Sequence, residues 1–226
     1  MTIPAPTSAA VAWRRLGRVT GVAGLAAVVL IFVPIVVGTR PEPTFHAPAT
    51  EFLTYYRSPN TPGAEFRSFL LAIGLIAFVW FVVALTTLLR RAEGEAPWRS
   101  TIAMVSGVLL AALVLSGNEV AAAFRADDLD PQIARYAFDE AQVAFANGRV
   151  ALGSFAVCCG WVIASTGFLP RWLGWLAIAT GVGLALSRIS WTNPIWLLPY
   201  AIFWLWVIIV AILLLRRNAR VVAKSG

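Results

Sequence analysis

The chain has 226 residues, of which 59% are hydrophobic and only 13% charged, with a mean hydropathy of +0.78. A soluble domain carries about 25% charged residues, so this composition excludes an ordinary water-soluble globule and points to lipid as the solvent. The net charge of +7 and pI near 10.4 would suit a nucleic-acid binder. The basic residues sit instead at the ends of apolar blocks, where they meet anionic headgroups, and no nucleic-acid partner is expected.

Residues 1–13 are mostly small, with Pro4 and Pro6, and read as a disordered cytoplasmic tail. Uncharged blocks then recur at 19–39, 68–89, 100–118, 150–170, 172–187 and 189–215. With a rise of about 1.5 Å per residue, roughly 20 residues cross a hydrocarbon core about 30 Å thick. Five blocks reach that length, and Arg171 and Arg188 extend the short one by snorkelling. Stretches such as AIFWLWVIIVAILLL (201–215) are apolar on every side, whereas barrel strands alternate, so the spans are predicted to be helices. The predicted fold is an all-α membrane protein, a six-transmembrane-helix bundle forming one domain over 14–217, with a basic cytoplasmic tail at 218–226.

In chain order, residues 14–38 resemble a signal peptide in having a basic start. Their apolar run is too long for one and no A-x-A site follows, so a retained span is expected, kinked at Pro34. The outer loop 39–66 holds five prolines, and TEFLTYYRS (50–58) within it reads as a short interfacial helix. Residues 90–99 make a short inner link between spans 2 and 3. The next outer segment runs from Gly117 to Gly148. Asp130-Pro131 supplies an N-cap and a Pro at the first helical position. A short amphipathic outer helix before helix 4 should follow, with Ile133, Ala137, Ala141 and Ala144 on one stripe and Arg135 and Asp139 paired at i,i+4. Asn147-Gly148 is the expected break before span 4. Pro170 should stop span 4 near Gly167, making GFLPRWLGWL (167–176) a tight hairpin into span 5.

If the N-terminus is cytoplasmic, eleven basic and two acidic residues lie inside, against seven basic and nine acidic outside. That is the positive-inside asymmetry, and it places both termini in the cytoplasm. Trp98, Trp172 and Trp175 then fall at the inner interface and Trp191 and Trp196 at the outer one, as an aromatic belt. The deeper Trp80, Trp161, Trp204 and Trp206 are expected to pack in the bundle or face lipid.

No catalytic, phosphate-loop, dinucleotide or zinc motif occurs in the sequence. The one histidine, His46, lies in a proline-rich loop, and the adjacent Cys158 and Cys159 lack metal-type spacing and read as packing residues. No metal and no cofactor is expected. The remaining chemistry gathers near the outer ends of the spans: Glu119, Arg149 and Arg188 fall at one level, with Asn147 and Asn193 beside them and Asp139 as a second acid. Ionisable groups at such depth cost a few kcal/mol unless paired, so they face the bundle interior or water. These six residues are the candidate polar cluster. It is either a structural clasp or an outward-facing cavity for a small polar or anionic solute.

Four motifs in order, LTYYRS (53–58), LLRRAEGE (88–95), the acidic run before span 4 and GFLPRWLGWLAIATGVG (167–183), resemble bacterial six-helix membrane proteins grouped under a domain of unknown function. The similarity covers roughly residues 15–217. It implies the fold and a bacterial cytoplasmic (inner) membrane, and no activity. The functional expectation is a non-enzymatic accessory, structural or regulatory membrane subunit, in contact with the lipid bilayer and with another membrane protein. The alternative is a small transporter or channel.

Overall fold

The structure, a computed structural model, describes residues 8–38, 41–57, 64–116, 122–123, 125–190 and 192–222. Helices dominate these residues: α1 (Ser8–Gly38), α2 (Ala49–Arg57), α3 (Ala64–Glu93), α4 (Trp98–Leu115), α5 (Pro131–Thr166), α6 (Arg171–Leu186) and α7 (Leu197–Val222), with a 3-10 turn at Pro194–Trp196. Five helices are long and apolar enough to cross a membrane, namely α1, α3, α4, α5 and α7. The apolar α6, at 16 residues, is shorter. The chain is thus a helical, polytopic membrane protein. Of the two tails expected from the sequence, residues 8–13 belong to α1 and residues 218–222 to α7.

Neighbours in the ring follow chain order. The most extensive contacts are α5 with α6, α1 with α3 and α4 with α5, and α7 closes the ring by packing on α1 and, less extensively, on α6. The centre is filled by rings, with Phe78 and Phe81 from α3, Phe155 from α5, and Phe203 and Trp206 from α7 all buried. Phe78 meets Phe155 at 6.0 Å and Trp204 at 5.5 Å between centroids, within the range where edge-on aromatic pairs attract. Trp206 also donates from Nε1 to the Leu173 carbonyl at 3.0 Å, tying α7 to α6. Trp80 and Trp161 face outward, so the four deep tryptophans divide evenly between core and periphery.

Two turns at one end of the bundle share a grammar. Gly94-Glu95-Ala96-Pro97 joins α3 to α4, and Gly167-Phe168-Leu169-Pro170 joins α5 to α6. Each opens on a glycine in the left-handed region (φ 94° and 67°) and closes on a proline directly before the next helix. The glycine tolerates a conformation that a side chain disfavours, and the proline cannot extend the preceding helix. At Gly167 the predicted end of span 4 is borne out, with Gly167 N–H donating to the Ile163 carbonyl.

The expected break at Asn147-Gly148 does not occur. α5 runs unbroken for 36 residues, or about 54 Å, so the amphipathic outer helix before helix 4 is the protruding first part of α5. Gly148 is buried against α4, where an added methyl group would stand 3.0 Å from Leu110 Cδ1. It serves close packing and not helix termination. The protruding part carries a small second core in which Phe52, Leu53 and Tyr56 of α2 meet Ala134, Ala137 and Phe138. The buried stripe is therefore offset from the predicted one, since Ile133 is exposed. Arg57 pins this cap by donating to the carbonyls of Ala126 (2.9 Å) and Asp127 (3.0 Å).

Between α5 and α6 the backbones touch. A methyl group on Gly153 would stand 2.5 Å from the Gly181 carbonyl oxygen, and one on Gly160 would stand 2.5 Å from that of Gly174. On each helix the two glycines are seven residues apart, so they recur on the same side every two turns and set an antiparallel register.

Candidate functional site

The polar residues expected to converge sit on α5, the end of α6 and the start of α7. α5 begins cleanly because Asp130 accepts from Gln132 N–H at 2.8 Å and Pro131 occupies the first turn. Along this helix Phe145 and Arg149 are four residues apart and share a face. Arg149 is only 2% exposed, and its guanidinium lies 4.7 Å from the Trp196 ring centroid and 5.5 Å from that of Phe145. Those rings and Tyr200 form a triangle of edge-on contacts, 5.4–5.7 Å between centroids. A weakly hydrated planar cation on aromatic faces gains up to about 2 kcal/mol per contact when desolvated, which offsets part of its burial cost.

The second arginine is tied to the same helix. α6 ends at Leu186, and Arg188 donates from Nε to Asn147 Oδ1 at 2.9 Å. Asn147, Arg149 and Arg188 therefore lie in one group. Asn193 has a local task, its Oδ1 accepting from Ile195 N–H at 3.0 Å to cap the 3-10 turn that presents Trp196. Asp139 does not join the group. It lies ten residues along α5 from Arg149, or about 15 Å by helix rise, and faces Arg135 at 3.8 Å. Glu119 lies outside the described residues.

A cavity of about 160 Å3 adjoins Arg149 and Tyr200. The rest of its wall is apolar, including Leu75, Phe78, Leu110 and Trp204. A solute-conducting polar cavity would need several converging polar groups, and this one offers a guanidinium and a phenol at one end of an oily space. Among the described residues no cluster of three or more His, Cys, Asp or Glu side chains could hold a metal ion. His46 is exposed, and Cys158 and Cys159 are free thiols in α5, the second fully buried.

A closely satisfied charge among the described residues is Glu93, one of the two acids counted on the inner side from the sequence. Glu93, with a side chain 1% exposed, ends α3 and reaches over the turn to the start of α4. Its Oε1 accepts from Arg99 N (3.1 Å) and Arg99 Nε (2.9 Å), and its Oε2 accepts from Ser100 N (3.0 Å) and Ser100 Oγ. Pro97 occupies the N-cap position and offers no side-chain acceptor, so Glu93 caps α4 from across the turn. Arg99 carries the connection on to α5, donating to Ser165 Oγ at 3.3 Å and lying 5.3 Å from the Trp161 ring. The available signal was an acid five residues before the first residue of a helix whose own cap is proline. The ring triangle had a weaker signal in the i,i+4 spacing of Phe145 with Arg149 and of Trp196 with Tyr200.

The arrangement is suited to holding helices together: the acid is saturated by donors, one arginine rests on rings and the other bonds an amide. No family model matches the chain, and neither does any curated protein or solved structure.

Proposed function

We propose that the chain is a non-enzymatic accessory, structural or regulatory subunit of a bacterial inner membrane, crossing it six times with both termini in the cytoplasm. α6 as the sixth crossing is supported by its uncharged interior and by the glycine seam that aligns it antiparallel to α5. The orientation is supported by the excess of arginine at the end carrying both short turns. The resemblance to bacterial six-helix membrane proteins agrees with this count and adds no chemistry.

The observation that carries the accessory reading is the state of the polar residues around Arg149. They engage rings and an amide instead of lining an open polar cavity. A second reading, a small transporter or binding protein for an anionic amphiphile, rests on the cavity of about 160 Å3 against Arg149. Thermal unfolding of the purified protein separates the two. If Arg149 and Arg188 form a clasp, Arg149→Ala and Arg188→Ala lower the melting temperature, and carboxylates, phosphate and sulfate leave it unchanged. If the site binds a solute, one of these anions raises the melting temperature of the wild type, and a folded Arg188→Ala variant loses that response. Flux of the same anions in proteoliposomes would exclude the accessory reading outright.

A further inference from the structure

A second basic site lies at the opposite end of the bundle, where both short turns emerge. Four separate segments meet there: the start of α1, the end of α3, the α5–α6 turn and the last part of α7. They enclose a pocket of about 420 Å3 whose rim carries Arg14, Arg91 and Arg217 and whose wall includes Leu88, Leu214 and Phe168. That volume is in the range of small-molecule sites, roughly 300–1,000 Å3. No acid is among its lining residues. The nearby carboxylate of Glu93 already accepts from Arg99 and Ser100.

Two of the arginines are held in place by rings. The Arg91 guanidinium lies 4.4 Å from the Trp13 ring centroid, and that of Arg217 lies 5.5 Å from Phe168 while donating to the Phe168 carbonyl at 3.3 Å. Stacking uses the guanidinium faces, and the N–H edges are the part that recognises phosphate in bidentate fashion. Trp13 is only half-buried and Arg91 and Arg217 are exposed, so the rim opens toward water, while Leu88 and Leu214 beneath are buried in the bundle. A basic rim over an apolar wall at the end of membrane-spanning helices matches a phospholipid in charge and in polarity along its length. Basic pockets between helices are where acidic lipid headgroups dock.

We propose that this pocket binds the phosphate headgroup of an anionic membrane phospholipid, gripped by Arg14, Arg91 and Arg217, with its glycerol and upper chain against Leu88, Leu214 and Phe168. Free phosphate shares the headgroup chemistry but cannot use the apolar wall. The site is distinct from the Arg149 group and stands independently of the accessory reading.

The test uses the full-length protein in a neutral detergent, with thermal unfolding and native mass spectrometry. Phosphatidylglycerol, phosphatidylcholine and inorganic phosphate are added separately. Phosphatidylglycerol should raise the melting temperature and remain as a bound adduct, while phosphatidylcholine and millimolar phosphate should do neither. Arg91→Gln and Arg217→Gln should each weaken the phosphatidylglycerol response about fivefold, the contribution of one basic side chain near an anionic lipid. Arg171→Gln, an exposed arginine outside the pocket, should leave the response intact. Arg14→Gln leaves both ring-stacked arginines in place, so it reads the site if either of the other variants fails to fold. An equal response to inorganic phosphate would overturn the lipid assignment. An undiminished response in all three pocket variants would overturn the site.

Discussion

The two hairpins at the arginine-rich end are built on the same turn and closed by different means. Gly94–Pro97 and Gly167–Pro170 are each four residues from a left-handed glycine to a helix-starting proline. Between α3 and α4 closure falls to side chains. Glu93 grips the start of α4, and deeper in the bundle Gly107 receives Val82, whose Cγ1 would be 2.6 Å from an added methyl group. Between α5 and α6 closure falls to backbone, with glycines from each helix facing a carbonyl of the other. A side-chain clasp is local and depends on a few donors. A backbone seam is distributed and depends on the absence of atoms. In lipid, where burial of apolar surface gives helices no reason to prefer each other over acyl chains, these are the two routes to a specific pairing.

The seam should be the more fragile of the two. An alanine at Gly160 puts Cβ 2.5 Å from the Gly174 oxygen and 2.9 Å from Ile178 N, and at Gly181 it puts Cβ 2.5 Å from the Gly153 oxygen and 2.9 Å from Val157 N. Backbone cannot rotate aside as a side-chain tip can, so α6 must move away. We expect Gly160→Ala and Gly181→Ala each to destabilise by about 3 kcal/mol, the upper end for overpacking. The double variant should yield no folded protein in detergent. Size-exclusion profiles and unfolding midpoints read both. A wild-type midpoint for either single variant would show that the seam is looser than its geometry implies.

Breaking the clasp should cost less and spread less. Glu93→Ala removes the cap of α4 and leaves Arg99 without its carboxylate, for an expected loss of about 2 kcal/mol. Glu93→Gln keeps one acceptor oxygen and should lose about half of that. If the clasp also knits the two hairpins together through Arg99 and Ser165, hydrogen exchange should rise at the start of α4 and the end of α5 in Glu93→Ala, with α1 and α7 unchanged. Exchange confined to α4 would reduce the clasp to a helix cap.

The two modes also differ in how far they could be read from the sequence. The membrane helices follow from block length alone, and the turn at Gly167–Pro170 from its glycine and proline. Its twin at Gly94–Pro97 carries the same pattern, G-x-x-P, inside the short inner link read at residues 90–99. The break expected at Asn147-Gly148 failed because glycine in a water-soluble helix usually weakens it, whereas against Leu110 in a membrane bundle it permits contact. Of the candidate cluster, the level of Arg149, Arg188 and Asn147 follows from counting residues. That Asp139 stands apart depends on α5 continuing past the bundle, which the assumed break concealed. The rings over Arg149 come from α5, the 3-10 turn and α7, so the i,i+4 pairs hint at them while their meeting depends on tertiary packing.

Glycine substitutions along one path sharpen the contrast at its weak end. Gly167→Ala and Gly94→Ala meet nothing within 4 Å, so their cost is conformational alone, about 1 kcal/mol each for placing a side chain at positive φ. Gly183→Ala should do least. It lies on α6 only two residues from Gly181, facing α7 across a groove of about 460 Å3 lined by Ala179, Leu198 and Pro199 among others. Its added methyl group would stand 3.2 Å from Pro199 Cβ. α7 has room to give by a few tenths of an ångström, and alanine gains up to about 1 kcal/mol of helix propensity over glycine. The two effects nearly cancel, so the unfolding midpoint of Gly183→Ala should match the wild type while that of Gly181→Ala collapses. Equal losses at both positions would mean that α6 is clamped on both faces and that the difference between its seams is not energetic.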